Sequence, residues 1–223
     1  MGVCVLVMGE SGSGKSTSLR NFEPGTVGVL NVMGKPLPFR GSMKTAEHAN
    51  YGTIQQTMKA NNLKCYVVDD AGYLMQLENF RRINENGYGK FSDMALHFEQ
   101  VIEWATQTDA DTIVYLMMHV DRDAEGRAKP RTVGKMIDEK FCIEGACPVV
   151  LYSTIQDGEY VFVTKGDGTN GAKAPMGMLP DVMENDLAKV DAAIRDYWDM
   201  APLSTTSKKP RAASHGDKGG DAA

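Results

Sequence analysis

No apolar run in this chain of 223 residues approaches the roughly eighteen that a membrane-spanning helix needs, so no membrane partner is expected. Residues 1–8 are too short, and too uncharged at their start, for a secretory signal, and a cytoplasmic location is the expectation. Metal-ligand spacing is missing too. Cys4, Cys65, Cys142 and Cys147 form no CxxC pair, and three of them lie in or beside apolar stretches, so buried thiols are expected rather than a metal centre. Positive charge is in deficit: 24 Lys and Arg stand against 29 Asp and Glu, a net charge of -5. That excludes holding nucleic acid by bulk positive charge and leaves room for local basic patches. Stacking platforms are scarce, with Tyr88 and Phe91 beside a glycine-rich polar stretch, and no internal repeat is visible.

What is present suffices for one large domain, with 42% of residues hydrophobic and 24% charged. Apolar stretches alternate with amphipathic ones, the pattern of an α/β domain with a mostly parallel central sheet and flanking helices. Candidate buried strands are Val3 to Met8, Val27 to Val32, Tyr66 to Asp70, Thr112 to His119 and Val149 to Thr154. Between them, Thr53 to Asn61, Tyr73 to Asn84 and Phe91 to Gln107 read as helices. In the last, Phe91, Met94, Ala95, Phe98, Val101, Ile102 and Ala105 recur at three-and-four spacing. Gln156-Asp157-Gly158, set between Ile155 and the run Tyr160 to Thr164, predicts a C-terminal β-hairpin. Residues 166–177 read as a glycine-rich loop, and about Asn185 to Tyr197 as a helix. The expected domain spans residues 1–200. Residues 201–223, rich in Ser, Thr, Lys, Gly and Ala, read as a disordered polar tail.

Directly after the first strand stands GESGSGKST, in which Gly9, Gly14, Lys15 and Ser16 satisfy GxxxxGK[ST] and Thr17 follows. Gly12 and Gly14 let the backbone turn its N–H groups inward round an anion, Lys15 reaches the β and γ phosphates, and the Ser16 hydroxyl serves Mg²⁺. Gly9, Glu10, Ser11, Gly12, Ser13, Gly14, Lys15, Ser16 and Thr17 are therefore the expected cradle for ATP with Mg²⁺. A helix beginning near Lys15 is expected to turn its positive end toward the phosphates. A second carboxylate belongs at the end of a neighbouring buried strand. KCYVVDD supplies Asp69, the Mg²⁺ partner through water. Asp70, one position on, either orients the attacking water or caps the turn before Gly72. His119 ends an apolar strand, where a polar side chain either senses the γ-phosphate or is an ordinary hydrogen-bonding strand end.

The loop GESGSGKSTSLRNF, the segment NVMGKPLPFRG, the strand VVDDAGYLM, the stretch YGKFSDMALHF, the turn TVGKMIDEK and the string KAPMGML together resemble something more specific. They look like the phage-encoded P-loop ATPases with a reduced RecA-like core, some of which are single-strand annealing or recombination proteins. The likeness runs from about residue 3 to 198. It implies an ATPase in the host cytoplasm that binds single-stranded DNA, promotes annealing or strand pairing as a homo-oligomer, and works beside a single-strand DNA-binding protein. Two departures matter. RecA-type recombinases carry a catalytic glutamate just after the second strand, and here Asn31-Val32-Met33-Gly34 holds no acid, so either Asp70 takes over or hydrolysis is slow. No separate DNA-binding domain is visible, which leaves DNA contacts to the core's loops or the tail.

Within GRAKPRTVGKMI, Arg127, Lys129, Arg131 and Lys135 lie free of acids after the His119 strand, where RecA-like cores place a mobile DNA-contacting loop. A solvated loop balanced by Asp121, Asp123 and Glu125 is the other reading. Phe39-Arg40-Gly41 and Lys208-Lys209-Pro210-Arg211 are secondary candidates. Lys173, with Lys165 as second choice, is either the basic residue that oligomeric RecA-like ATPases send into a neighbour's nucleotide or an exposed loop lysine. Two other functions stay open: a small-molecule or nucleotide kinase, and a nucleotide-gated, non-enzymatic adaptor of helicase-loader type.

Overall fold

The apolar run that opens the chain becomes β1 (Val3–Gly9), buried from Cys4 onward as a strand covered on both faces must be. The computed structural model describes residues 1–134, 137 and 141–204. After β1 come a 3₁₀ helix (Ser16–Asn21), β2 (Gly28–Asn31), β3 (Lys44–Glu47), α1 (Tyr51–Ala60) and β4 (Cys65–Asp69). Then follow α2 (Tyr73–Arg81), α3 (Gly89–Thr106), β5 (Ile113–Arg122), β6 (Ala128–Pro130) and α4 (Ile143–Ala146). The chain continues through β7 (Val149–Gln156), β8 (Glu159–Val163), β9 (Val182–Glu184) and α5 (Leu187–Tyr197).

Among the described residues, nine strands form one sheet in the order β3-β2-β4-β5-β1-β7-β8-β9, with β6 paired to β5 off this path. From β3 to β7 every neighbour pair is parallel. β7 and β8 pair antiparallel, Tyr152 opposite Val163 and Gln156 opposite Glu159, and β9 adds to β8 the same way. The fold is therefore α/β with a mostly parallel central sheet.

Alternation along the strands divides the core between the two faces. Cys4, Leu6 and Met8 join Val114, Leu116 and Met118 under α1, α2 and α3. Val5 and Val7 join Ile113, Tyr115 and Met117 under the 3₁₀ helix and α5. α3 packs through Met94, Phe98, Val101, Ile102 and Ala105, the stripe its spacing predicts. Burying each of its large apolar side chains contributes roughly 1.5–3 kcal/mol. Asn50 caps α1 by accepting from the Thr53 N–H, and Asp186 caps α5 by accepting from Ala188 and Lys189.

Several expectations need correcting. The helix expected near Lys15 is a 3₁₀ helix of six residues, Ser16–Asn21. Ser18 Oγ donates to the Lys15 carbonyl at 2.6 Å, favouring a tight turn, and Pro24 lies just beyond the end of the segment. Cys142 is exposed, its Sγ accepting from Gly145 N–H at the start of α4, while Cys4, Cys65 and Cys147 are buried; all four are free thiols. Arg127 to Arg131 do not form a continuous loop. Asp123 Oδ1 accepts the N–H groups of Glu125 and Arg127, closing a turn that starts β6. Met200 and Leu203 pack on the second core, so the packed chain runs past Pro202. Lys135 and the cluster Lys208, Lys209 and Arg211 lie outside the described residues. Among the described residues no helix is long and apolar enough to cross a membrane.

Candidate functional site

The parallel strands all end toward one edge of the sheet, and the glycine-lysine loop, Asp69, Asp70 and His119 stand there. Gly9 ends β1 opposite His119 of β5, and Asn31 ends β2 opposite Asp69 of β4. β5 lies between β1 and β4, so the glycine-lysine loop and Asp69 face each other across one intervening strand. Open α/β sheets bind ligands at this carboxyl edge.

The loop is built as its sequence requires. Gly12 and Gly14 take φ of 81° and 94°, and a Cβ at Gly14 would lie 2.9 Å from the Tyr160 ring. Lys15 is buried, its Nζ donating to the carbonyls of Gly9 and Glu10 at 2.8 Å each. Burial lowers its pKa to about 8, against the pull of Asp70, Asp69 and Glu10. Ser153 Oγ donates to the Ser13 carbonyl at 2.7 Å and Asn185 Nδ2 to Ser153 Oγ at 3.3 Å, tying the loop to β7 and the start of α5. Ser13 Oγ and Asn185 Oδ1 are buried there without a hydrogen-bond partner.

Ser16 Oγ lies 2.9 and 3.0 Å from the two oxygens of Asp69. Asp69 is buried; desolvation and then the Asp70 charge raise its pKa, with Ser16 working the other way. Asp70 has a different environment. Its Oδ2 is 2.6 Å from Lys35 Nζ and its Oδ1 is 3.3 Å from His119 Nε2. Burial pushes its pKa up, but the His119 and Lys35 contacts outweigh this and hold it below the usual carboxylate value. His119 also meets the Tyr73 ring edge-on, 5.9 Å between centroids.

These residues surround a cleft of about 360 Å³ lined by Ser11, Gly12, Gly14, Lys15, Ser16, Thr17, Lys35, Pro36, Pro38, Asp69, Asp70, His119 and Tyr160. Gly9, Glu10 and Ser13 do not line it: the first two supply the carbonyls that hold Lys15, and Glu10 faces Arg122 at 3.6 Å. The helix behind the loop is a six-residue 3₁₀ helix, too short to bring a long helix dipole to the cleft. Sequence reasoning missed Lys35, Pro36, Pro38 and Tyr160. The signal for Lys35 was its place just past an apolar strand, in NVMGKP.

The remaining candidates lie elsewhere. Lys173 bridges β7 through its backbone, exchanging both hydrogen bonds with Val150 at 2.8 and 2.9 Å. Lys165 is exposed and 3.3 Å from Asp181. Neither lines the cleft of its own chain. Arg127 and Lys129 line a second hollow of about 360 Å³ with Asp123, Phe141, Cys142 and Glu144, while Arg131 is exposed and donates its N–H to the His119 carbonyl.

The residues present fit a nucleoside triphosphate with Mg²⁺. The loop offers positive-φ glycines and a buried lysine for phosphate, and the Ser16 hydroxyl beside the Asp69 carboxylate is an all-oxygen donor pair suited to a hard cation. Among the described residues no group of three His, Cys, Asp or Glu could hold a metal alone. Mg²⁺ typically completes its shell with phosphate oxygens and water. The chain matches no protein-family model and no curated protein.

Proposed function

We propose that this protein is an Mg²⁺-dependent P-loop ATPase with a RecA-like core that acts on single-stranded DNA, promoting annealing or strand pairing as a homo-oligomer. One observation carries the nucleotide part: Ser16 of the glycine-lysine loop meets both oxygens of Asp69, which arrives from a strand that is not β1's neighbour. In this reading Lys15 and the loop N–H groups hold the phosphates. Ser16 would hold Mg²⁺ directly and Asp69 would do so through water, and the ion would offset charge on the transferred phosphoryl group. Asp70 is ionised at neutral pH and hydrogen-bonded on both oxygens, which suits positioning a water better than taking its proton. His119, one bond from Asp70, is the γ-phosphate sensor.

The DNA part rests on the sequence resemblance and on the basic residues Arg127, Lys129 and Arg131 at β6, reached from His119 along one strand. Lys173, with Lys165 behind it, is the residue offered to a neighbouring protomer's nucleotide. Phosphate release measured with and without single-stranded DNA, and with small acceptors, tests the reading. Stimulation by DNA is expected, and Lys15→Ala should abolish both nucleotide binding and turnover. Transfer to an acceptor would make the protein a kinase, and binding without turnover an adaptor.

A further inference from the structure

β2 ends in Asn31, a buried amide that builds a turn. Its Oδ1 accepts from Gly34 N–H at 2.8 Å, and its Nδ2 donates to the Lys35 carbonyl at 2.7 Å and to Glu47 Oε2 at 3.0 Å. The chain from Asn31 to Lys35 is thus fixed from the buried end of the strand, and Pro36 and Pro38 restrict the backbone that follows. What this turn presents is Lys35. Its ammonium sits 2.6 Å from Asp70 Oδ2 and 5.3 Å from the centre of the Tyr73 ring, on a side chain that is 55% exposed.

The two lysines of the cleft differ in freedom. Lys15 is buried against carbonyls of its own loop. Lys35 is tied to a single carboxylate whose other oxygen stays beside His119, so an anion can draw Lys35 away without leaving Asp70 bare. Charge balance gives the reason to do so. Lys15 and Lys35 offset Asp69 and Asp70, and a triphosphate brings about one more negative charge than a diphosphate into that balanced cleft. A flexible ammonium on a four-carbon stem is suited to meet the extra charge.

We propose that Lys35, held ready by Asp70, binds the terminal phosphate and makes the cleft distinguish a nucleoside triphosphate from a diphosphate. This rests on the nucleotide-binding reading above. The test is calorimetric titration of the full chain with Mg²⁺ and a non-hydrolysable ATP analogue, and separately with Mg²⁺ and ADP, for the native protein, Lys35→Ala and Lys35→Arg. Lys35→Ala should weaken the analogue about tenfold or more and ADP less than about threefold, while Lys35→Arg, which keeps the charge, restores most of the affinity. If Lys35→Ala fails to fold by circular dichroism, Lys35→Gln replaces it with the same expected result. Unchanged affinity for the analogue, or an equal loss for both nucleotides, overturns the role of Lys35 and leaves nucleotide binding standing. A native protein that binds neither nucleotide overturns both.

Discussion

Two neighbouring carboxylates, Asp69 and Asp70, show how far a residue's role depends on what surrounds it. Asp69 is desolvated and bonded to a neutral hydroxyl; Asp70 lies between an ammonium and an imidazole, at a left-handed φ of 60° that costs a non-glycine residue roughly 1–2 kcal/mol. Asn in place of Asp69 keeps a partner for Ser16 and removes a buried charge beside Asp70. Asp69→Asn should therefore melt at or above the native temperature without Mg²⁺, yet lose about tenfold or more of Mg²⁺-dependent nucleotide affinity by titration. A lower melting temperature with unaltered affinity would assign Asp69 to the fold alone. The glycine-lysine loop and these acids were legible because each is a local pattern: a spacing after one apolar run, a charge after another. Lys35 and Tyr160 were not, because what brings them to the loop is pairing with β4 on one side and the fold-back of β8 on the other.

Elements with strong periodicity could be read directly, α3 and β1 above all. Those that could not are short. Lys44–Glu47, Ala128–Pro130 and Val182–Glu184 have little pattern of their own and are strands because a neighbouring edge pairs with them. A helix after the loop was expected because the loop motif says that one follows, whereas Ser18 and the nearby Pro24 decide its kind and length. α5 is fastened by a buried pair that periodicity does not announce. Arg195 Nε lies 2.5 Å from Asp191 Oδ1, and its remaining nitrogens donate to the carbonyls of Asp111, Ala201 and Lys64. Burial raises the Asp191 pKa, with Arg195 working the other way. Arg195→Leu leaves the carboxylate buried without its counter-charge, with the Tyr115 hydroxyl still on Oδ2, and leaves those carbonyls unpaired. A loss of about 3–5 kcal/mol is expected in urea denaturation, and a loss under about 1 kcal/mol would show that water replaces the guanidinium.

For the whole molecule, the alternation of apolar and amphipathic stretches foretold an α/β fold with a mostly parallel sheet, but strand order is not written in any segment: β5 enters between β1 and β4 only through the crossovers that connect them. The net charge of -5 keeps any DNA binding local. Replacing Arg127, Lys129, Arg131 and Lys135 together should flatten the salt dependence of single-stranded DNA binding by about 0.7 in logarithmic slope for each phosphate that is no longer neutralised. An unchanged slope would move the binding surface elsewhere. β5 joins these two regions physically. Its His119 borders the cleft, its next residues pair with β6, and the Arg131 N–H closes back on the His119 carbonyl at 2.8 Å. A strand has a nearly fixed rise and does not stretch. The basic hairpin and the imidazole against Asp70 thus stand a few residues apart on one strand, at a separation its backbone fixes.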